Sequence, residues 1–510
     1  MNDARTTVVR GGQLLEWPSQ RVEAADILLR GGTIESIGAP GLPAPADAIT
    51  ISALDRLLMP GLVNAHTHAH GGLSKGQVED RVPLEMFLAT GSALNGGRDT
   101  DDKYLSALIS AVEMVRKGCT ACYDLAVELP LPTEDGVHAV ARAYHDVGMR
   151  AVVAPMMADR TLYQALPGLL EAMPEAMRDE ARKLATAPYE ASIEACKTLF
   201  DRWPFDRERV RPALAPTIPL HCSDDFLVAC HRLSAEYDVG LQTHLAETKP
   251  QAVLAVERYG KSLVGHLGAL GMLDERMSAA HAIWIAPDDM RQLADNGVAV
   301  AHNPLSNLRL GSGVAAVRRM LDSGVRVGIG TDATNTSDGQ CMFEATRLAA
   351  YLSRIVTPDH SQWISSREAF DMATTGSARV LGFGDRLGRL APGYKADIVF
   401  IDLAHINYVP LGNPATQLVY GENGAAVDSV MIDGRFVLRE GKLLTVDEGK
   451  LRRDAQRACD RLVEANAGAR ERARAFEDVV GVFCLGQSHA AHGVHRTLHE
   501  GDYCASHRRR

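Results

Sequence analysis

Apolar and polar residues alternate at both ends of the chain, whereas apolar runs separated by helical patterns fill its middle. Residues 7 to about 58 alternate with Gly-Gly pairs between them, a pattern typical of short antiparallel strands. The same pattern returns between residues 393 and 437, where Asp433-Gly434 is a hairpin turn signal. The two chain ends therefore predict one small β-sandwich domain that both of them build.

In the middle of the chain, apolar runs alternate with helical patterns, which predicts βα units around a parallel sheet. Eight such units favour an α/β fold, a closed TIM-like (β/α)8 barrel. The predicted strands end near His66, Asp124, Pro155, Ala215, His244, His281, Asn303 and Asp332. Because such barrels place their chemistry at these strand ends, the long segments 69–103 and 157–185 are expected to face the substrate.

These patterns divide the chain into three predicted parts: a composite β-sandwich domain of 1–59 plus 386–449, a barrel of 60–385, and a C-terminal helix and tail of 450–510. The helix is predicted over 450–477, where apolar residues recur at helical spacing. The tail region carries His489, His492, His495, His499, Cys484 and Cys504. Their irregular spacing favours a solvated or intersubunit tail over a second metal site.

Composition and charge exclude several classes of protein. The chain has 510 residues, of which 23% are charged and 46% hydrophobic, and no apolar run approaches the roughly 20 residues that span a bilayer. Its formal net charge of -10 argues against a nucleic-acid partner. The start of the chain has no signal-peptide pattern, so a cytoplasmic location is the expectation.

Nine cysteines spread over the chain indicate reduced thiols rather than a disulfide scaffold. Cys119 and Cys122 form a Cys-x-x-Cys pair, but Gly118 precedes it and no His-x-Glu lies upstream, unlike in the zinc nucleobase deaminases that carry such a pair. The two cysteines are therefore interpreted as buried residues of a strand.

Candidate metal chemistry begins at His66-x-His68, which ends a short apolar run. On a strand, residues two apart share a face, so both imidazoles can reach one ion. His244-x-x-Glu247 places a third imidazole beside a carboxyl group, and further predicted strands end at His281 and Asp332. Each feature alone is ordinary, but all of them fall where a barrel gathers its site.

Taken together, these motifs resemble the amidohydrolase superfamily, most closely the branch of mononuclear cytosine, guanine and S-adenosylhomocysteine deaminases and triazine hydrolases. The resemblance covers residues 7 to about 445. It is carried by His66-x-His68, His244-x-x-Glu247, His281, His302-Asn303-Pro304-Leu305-Ser306-Asn307 and Gly330-Thr331-Asp332.

The resemblance implies one divalent metal ion, with zinc the first choice and iron the alternative. Its implied ligands are His66, His68, His244 and Asp332. Glu247 would be the acid and base of catalysis, while His281 and Asp332 would orient water whose pKa the metal lowers. Binuclear relatives bridge two ions with a lysine of the fourth strand. Residues 210–217 hold no lysine, which favours a single ion.

The implied activity is hydrolytic deamination of an aminated purine, pyrimidine, pterin or triazine. Hydrolytic dechlorination or dealkylamination of a triazine is the first alternative, ring-amide hydrolysis the next, and a catalytically inactive scaffold the alternative from another class. Adenosine-type deaminases of this branch tend to carry a histidine where Thr217 stands, which disfavours a nucleoside. The candidate substrate contacts are His70, Asn303, Asn307 and Thr217. Relatives often form dimers, so a homodimer is the expectation.

Overall fold

The computed structural model describes residues 6–17 and 19–497. Its strands are, in chain order, β1 Thr6–Leu15, β2 Val22–Arg30, β3 Thr33–Gly38, β4 Ile49–Ser52, β5 Arg56–Pro60, β6 Leu62–His68, β7 Cys119–Val127, β8 Arg150–Met157, β9 Val210–Pro212, β10 Ala215–Pro216, β11 Leu241–Leu245, β12 Met277–His281, β13 Ala299–His302, β14 Arg326–Ile329, β15 Asp332–Ala333, β16 Ile398–Asp402, β17 Val427–Ile432, β18 Arg435–Arg439 and β19 Lys442–Leu443.

The helices that connect and follow these strands are, in chain order, α1 Leu84–Asn95, α2 Thr100–Arg116, α3 Glu134–Val147, α4 Leu162–Ala165, α5 Leu169–Ala172, α6 Glu175–Lys183, α7 Tyr189–Asp201, α8 Asp224–Tyr237, α9 Lys249–Tyr259, α10 Leu263–Ala269, α11 Pro287–Asp295, α12 Pro304–Arg309, α13 Val317–Asp322, α14 Met342–Val356, α15 Ser366–Asp371, α16 Ser377–Val380, α17 Pro414–Tyr420, α18 Glu448–Ala465 and α19 Ala467–Ser488. Among the described residues, no helix combines the length and the apolar character that crossing a membrane requires.

Both chain ends contribute to one nine-stranded sheet, as the alternating patterns predict. Its order is β19-β18-β17-β16-β5-β1-β2-β3, with β4 paired to β1. The two ends meet where β5 pairs antiparallel with β16, from Pro60 opposite Ile398 to Arg56 opposite Asp402. The domain boundaries at 59/60 and 385/386 stay predictions.

The strands in the middle of the chain form a second group of paired strands, beside the nine-stranded sheet. Strands β6, β7 and β8 pair in parallel, β8 pairs with β9 and β10, and β11 to β14 pair in parallel in their turn. Leu214 bridges to Leu241 between the fourth and fifth strand positions, and Asp332 in β15 pairs with Thr67 in β6. The pairing therefore returns from the eighth position to the first. The predicted α/β fold of TIM-barrel type is confirmed.

Small side chains fill the space that these strands surround. Ala65, Ala121, Ala154, Ala213 and Ala301 belong to one buried cluster there. Because alternate residues of a strand point to opposite faces, the other faces pack against the surrounding helices. The interior is thus a packed core, which leaves the strand ends as the place for chemistry.

The C-terminal region departs from the prediction. The helix predicted over 450–477 is two helices, α18 and α19, which Asn466 separates. The prediction of a solvated or intersubunit tail holds only in part for residues 489–497. His489 and His495 are exposed, whereas Val494 is buried and Arg496 binds carbonyl groups of the barrel loops. His499 and Cys504 lie outside the described residues.

The cysteines follow the expectation of reduced thiols. All eight cysteines of the described residues are free. Cys119 and Cys122 are buried in β7, so their interpretation as strand residues is confirmed.

A buried arginine joins the nine-stranded sheet to the start of β8. Arg150 is 1% exposed and donates to Asp397 at 2.8 and 3.2 Å and to Asp433 at 2.9 Å. Its third contact is the carbonyl of Glu208, at 2.8 Å. The Arg150 guanidinium therefore joins the nine-stranded sheet to the strands in the middle of the chain.

We expect Arg150→Leu to lower the free energy of unfolding by about 3–5 kcal/mol, because it leaves the buried Asp397 carboxylate without its cation. Urea unfolding followed by circular dichroism measures this. The matched control is Arg30→Leu, which breaks an exposed pair with Glu35 and should lower the free energy of unfolding much less. An equal loss of unfolding free energy in the two variants would contradict this role of Arg150.

Candidate active site

Three histidines and an aspartate from three separate segments meet at the carboxyl ends of the strands. His66 and His68 share a face of β6, His244 lies near the end of β11 and Asp332 begins β15. The Nε2 atoms of His68 and His244 are 3.0 Å apart. Asp332 Oδ1 lies 3.5 Å from His66 Nε2 and 3.3 Å from His68 Nε2. The sequence reasoning thus selected side chains that the fold brings together.

Each of the three imidazoles is held through its other ring nitrogen. The Nδ1 partners are oxygen acceptors in every case: Gln242 Oε1 at 2.6 Å for His66, the Leu125 carbonyl at 2.8 Å for His68 and the Thr217 carbonyl at 2.6 Å for His244. An oxygen acceptor assigns the proton to Nδ1, which leaves the Nε2 lone pair directed at the common centre. This is the tautomer that metal-binding histidines require.

Burial sets the charge of this cluster. It lowers the pKa of His68 to about 4 and that of His244 well below the ordinary value, so both are neutral at pH 7. Burial alone would raise the pKa of Asp332, but the imidazoles of His66, His281 and His68 beside it hold that pKa well below its usual range. His68 and His244 are therefore neutral nitrogen donors beside one carboxylate.

This donor set fits a divalent metal ion. His66 Nε2 is buried and has no hydrogen-bond partner among the described residues, although it points at the Asp332 carboxylate. Metal–nitrogen distances of about 2.0–2.1 Å place neighbouring ligand atoms roughly 3–3.5 Å apart, as they are here. Nitrogen lone pairs this close to each other and to a carboxylate are stabilised by a cation between them.

Two further groups face the same centre. His281 Nε2 lies 3.5 Å from Glu247 Oε2 and 3.8 Å from Asp332 Oδ2. Burial raises the pKa of Glu247 well above its ordinary value, and the negative charges of Asp332 and Glu85 add to this effect. Burial also lowers the pKa of His281 to about 4. Burial thus favours the protonated form of the Glu247 carboxyl group, which lies beside a neutral His281 imidazole.

Unusual backbone angles aim these side chains. Ala246, His281 and Asp332 have φ of 46°, 68° and 64°, in the left-handed region that residues other than glycine rarely adopt. Ala246 follows β11, His281 ends β12 and Asp332 begins the short β15 just after β14, so the chain turns sharply at each of these points. Such angles are kept only where the surroundings fix them, and they gather at functional sites.

The candidate substrate contacts divide into two kinds. Asn307 accepts a hydrogen bond from His281 Nδ1 at 2.8 Å, and the Thr217 hydroxyl points at Met156 Sδ, 3.7 Å away, so both residues have contacts within the protein. Asn303 Nδ2 lies 3.4 Å from both ring nitrogens of His281. His70 follows the metal pair, with its ring centroid 5.4 Å from that of His68. Their substrate roles stay predictions.

Three supporting residues escaped the sequence reasoning. Gln242 lies two residues before His244 and shares its strand face, so strand periodicity could have found it. Ser306 donates to Asp332 Oδ2, and Glu85 accepts a hydrogen bond from Thr248, the residue after Glu247. No local pattern marks Glu85, because only the folded chain brings α1 to the start of α9.

A TIM-barrel-type fold with imidazoles and a carboxylate gathered at its strand ends is typical of metal-dependent hydrolases. A model of the amidohydrolase family matches residues 57–437. The chain belongs to the amidohydrolase family, and it is a hydrolase that acts on carbon–nitrogen bonds. The family resemblance given by the sequence motifs is thereby confirmed.

Relatives of known name cover most of the chain. A 5-methylthioadenosine/S-adenosylhomocysteine deaminase of Moorella thermoacetica is 34% identical over 412 residues, which are 80% of this chain and 88% of the relative. A 5'-deoxyadenosine deaminase of Methanothermobacter thermautotrophicus is 31% identical over 451 residues, 88% of this chain and 96% of the relative. These relatives support the predicted class of activity, hydrolytic deamination of a nitrogen heterocycle.

Solved structures of similar fold contain zinc. An adenosine deaminase from Xanthomonas campestris with bound zinc has a TM-score of 0.78 and 26% identity, covering 89% of this chain and 98% of its own. An atrazine chlorohydrolase of Arthrobacter aurescens complexed with zinc has the same TM-score and identity, covering 89% and 100%. Together with the donor set, they support a divalent metal ion in this chain.

We expect Gln242→Leu to weaken zinc binding by about 10–100-fold, because it removes the acceptor that fixes the His66 ring and its tautomer. Competition with a chromophoric chelator measures the affinity. Gln456→Leu, at an exposed position of α18, is the control and should bind zinc as the unchanged protein does. Unchanged affinity in Gln242→Leu would contradict the assigned orientation of His66.

Proposed function

We propose that this protein is a metal-dependent aminohydrolase that replaces the exocyclic amino group of a nitrogen heterocycle with oxygen. Water supplies the oxygen and ammonia leaves. The observation that carries the proposal is the meeting of His66, His68, His244 and Asp332 beside Glu247, whose pKa burial raises well above its ordinary value.

His66, His68, His244 and Asp332 would hold one divalent ion, zinc as the first choice and iron as the alternative. When bound, the ion supplies the Lewis acidity that makes water a nucleophile at neutral pH. The fourth strand position, residues 210–217, has no lysine to bridge a second ion, which supports a single one.

The protein's own groups account for the proton movements. Asp332 and His281 are positioned to accept the proton that water loses as its oxygen bonds to the ring carbon. Glu247 donates its proton to the adjacent ring nitrogen. The carbon–nitrogen bond then breaks and its electron pair leaves with the amine, which takes the proton held by Asp332 or His281 and becomes ammonia. The proton of the new hydroxyl group returns to Glu247 as the carbon–oxygen double bond forms. Separate environments for Glu247 and Asp332 allow one carboxyl group to act as acid while the other stays ionised.

The substrate class follows from the relatives and from one departure from them. The deaminases among the relatives are named for adenosine-type compounds, which makes an aminopurine the first compound to test. Thr217 stands where adenosine-type deaminases of this branch tend to carry a histidine, and its hydroxyl faces Met156. A free aminated base is therefore favoured over a nucleoside. The similarity to a chlorohydrolase supports triazine dechlorination as the second candidate.

A panel of aminated purines, pyrimidines, pterins and triazines tests the activity. The zinc-loaded protein should release ammonia from at least one compound, and removal of the metal with a chelator should abolish the release. Chloride from a chlorotriazine, without ammonia from any compound, would favour the second candidate. Neither product from any compound would contradict both.

We expect Glu247→Gln to cut turnover about a hundredfold or more while leaving metal content unchanged, because an amide cannot deliver the proton but is not expected to disturb the metal ligands. Steady-state ammonia release and metal analysis of the same sample give the two numbers. Glu236→Gln, at an exposed position of α8, is the control for the same chemical change. Turnover within a few-fold of the unchanged protein would exclude Glu247 as the acid.

Two features of organisation belong to the same proposal. The nine-stranded sheet, with its β strands from both chain ends, is inferred to fold as a β-sandwich domain beside the barrel. The protein is inferred to act as a homodimer, which light scattering in solution tests.

A further inference from the structure

The last described segment of the chain lies across two loops of the barrel. We call residues 489–497 the C-terminal strap. They follow α19 and lie beyond residues 57–437, which the family model matches. Arg496 of the strap donates from Nε to the Ile283 carbonyl at 2.7 Å and from Nη2 to the Ile285 carbonyl at 2.8 Å. Its own carbonyl accepts from the Val314 amide at 2.8 Å.

The two loops that Arg496 joins adjoin the catalytic groups. Ile283 lies two residues after His281, and the neighbouring Trp284 amide donates to the Ala246 carbonyl, next to Glu247, at 2.9 Å. The other loop contains Ser312, whose amide donates to the Asn307 carbonyl at 2.8 Å. Hydrogen bonds thus connect the strap to two loops. These loops in turn are bonded to, or continuous with, the segments that carry His281, Asn307 and Glu247.

Ser312 connects the second loop to the catalytic carboxyl group. It is 4% exposed and Glu247 is 1% exposed. Among the described residues, Ser312 Oγ and Glu247 Oε1 are both buried and have no hydrogen-bond partner. The Trp284 indole donates to the Ser312 carbonyl at 2.7 Å and the Trp284 amide donates to the Ala246 carbonyl, so Ser312 lies in a segment that adjoins Glu247. The Ser312 side chain also lowers the pKa of Glu247 against the effect of burial.

The strap fixes where this loop can stand. Gly313 has a φ of 118°, and a Cβ built on it would lie 3.1 Å from the Arg496 carbonyl and 3.2 Å from the Arg496 Cβ. The backbone at Gly313 thus touches the strap directly, while the Val314 amide binds it. These two contacts are made by the main chain and Cβ of residue 496, while the Arg496 guanidinium holds this part of the strap on the Ile283 and Ile285 carbonyl groups. The position of Ser312 therefore depends on the Arg496 side chain through the strap.

We propose that Arg496 is a positioning residue for the reaction: it holds residues 312–314 so that the Ser312 hydroxyl stands against Glu247. The inference rests on the proposed function, because Glu247 is the acid only in that reaction. A segment near the end of the chain then completes an active site whose other parts come from the barrel.

A double-mutant cycle of Arg496→Ala and Ser312→Ala tests the coupling. Each single variant should lower kcat about tenfold with KM changed less than about twofold, because a displaced acid affects the chemical step more than binding. If Arg496 acts through Ser312, the double variant should be no slower than the slower single variant. Multiplied losses would overturn the proposal.

Arg474→Ala is the matched control on the preceding helix. Its guanidinium is 72% exposed and lies 3.7 Å from Glu79, so its loss should leave kcat unchanged. Circular dichroism verifies that each variant is folded. Should Arg496→Ala fail to fold, Arg496→Lys can keep one carbonyl contact and should give an intermediate loss of kcat that Ser312→Ala again masks.

Hydrogen exchange tests the contact without any assay of activity. The Val314 amide should exchange about tenfold faster in Arg496→Ala than in the unchanged protein, and at the original rate in Ser312→Ala and Arg474→Ala. Equal exchange in all four proteins would overturn the strap's hold on the loop. If exchange responds but no compound is deaminated by any of the four, the proposed function fails while the hold of Arg496 on the loop stands.

Discussion

The site depends on one electrostatic constraint: polar groups that would repel each other are fixed in place, and little water reaches them. Three imidazoles each donate their one N–H group to an oxygen of the barrel, so the lone pair of the other ring nitrogen points toward Asp332. These imidazoles belong to His66, His68 and His244. A lone pair buried without a partner costs free energy. The folded barrel meets that cost in advance, so the cluster has affinity for a cation as soon as the strands close.

The same burial separates the roles of the two carboxyl groups. Asp332 accepts a hydrogen bond from Ser306, which favours its ionised form. Burial and the negative charges of Asp332 and Glu85 raise the pKa of Glu247, which favours its protonated form. Because two charges of the same sign cannot share so dry a site, the ionisation of one carboxyl group makes the other an acid.

Residue patterns with short periods were predictable from the sequence. His66 and His68 follow the two-residue repeat of a strand, and the ends of the apolar runs placed His244, His281 and Asp332 at one mouth. Gln242 obeys the same repeat and was within reach of the argument. Contacts between distant segments were not predictable from the sequence. Nothing near Glu85 or Ser312 in the sequence shows that either residue will face Glu247.

The packing of the C-terminal strap was likewise not predictable from the sequence. The irregular spacing of its histidines favoured a solvated or intersubunit tail, because such a pattern describes the segment's own residues and not the surface that the segment meets. Val494 is buried and Arg496 finds two carbonyl groups only because α19 delivers the strap to the loops after β12 and β13. Where a chain end packs is decided by the rest of the fold, which no local pattern contains.

The sheet that both chain ends share has a consequence for biosynthesis. Strand β5 leaves the ribosome early, but its antiparallel neighbour β16 begins only at Ile398. At about 5–20 residues per second the nascent chain carries that open strand edge for a time on the order of tens of seconds. An open edge can pair with a strand from another chain. A chaperone bound to the segment that holds β5, until β16 has been synthesised, would prevent such pairing.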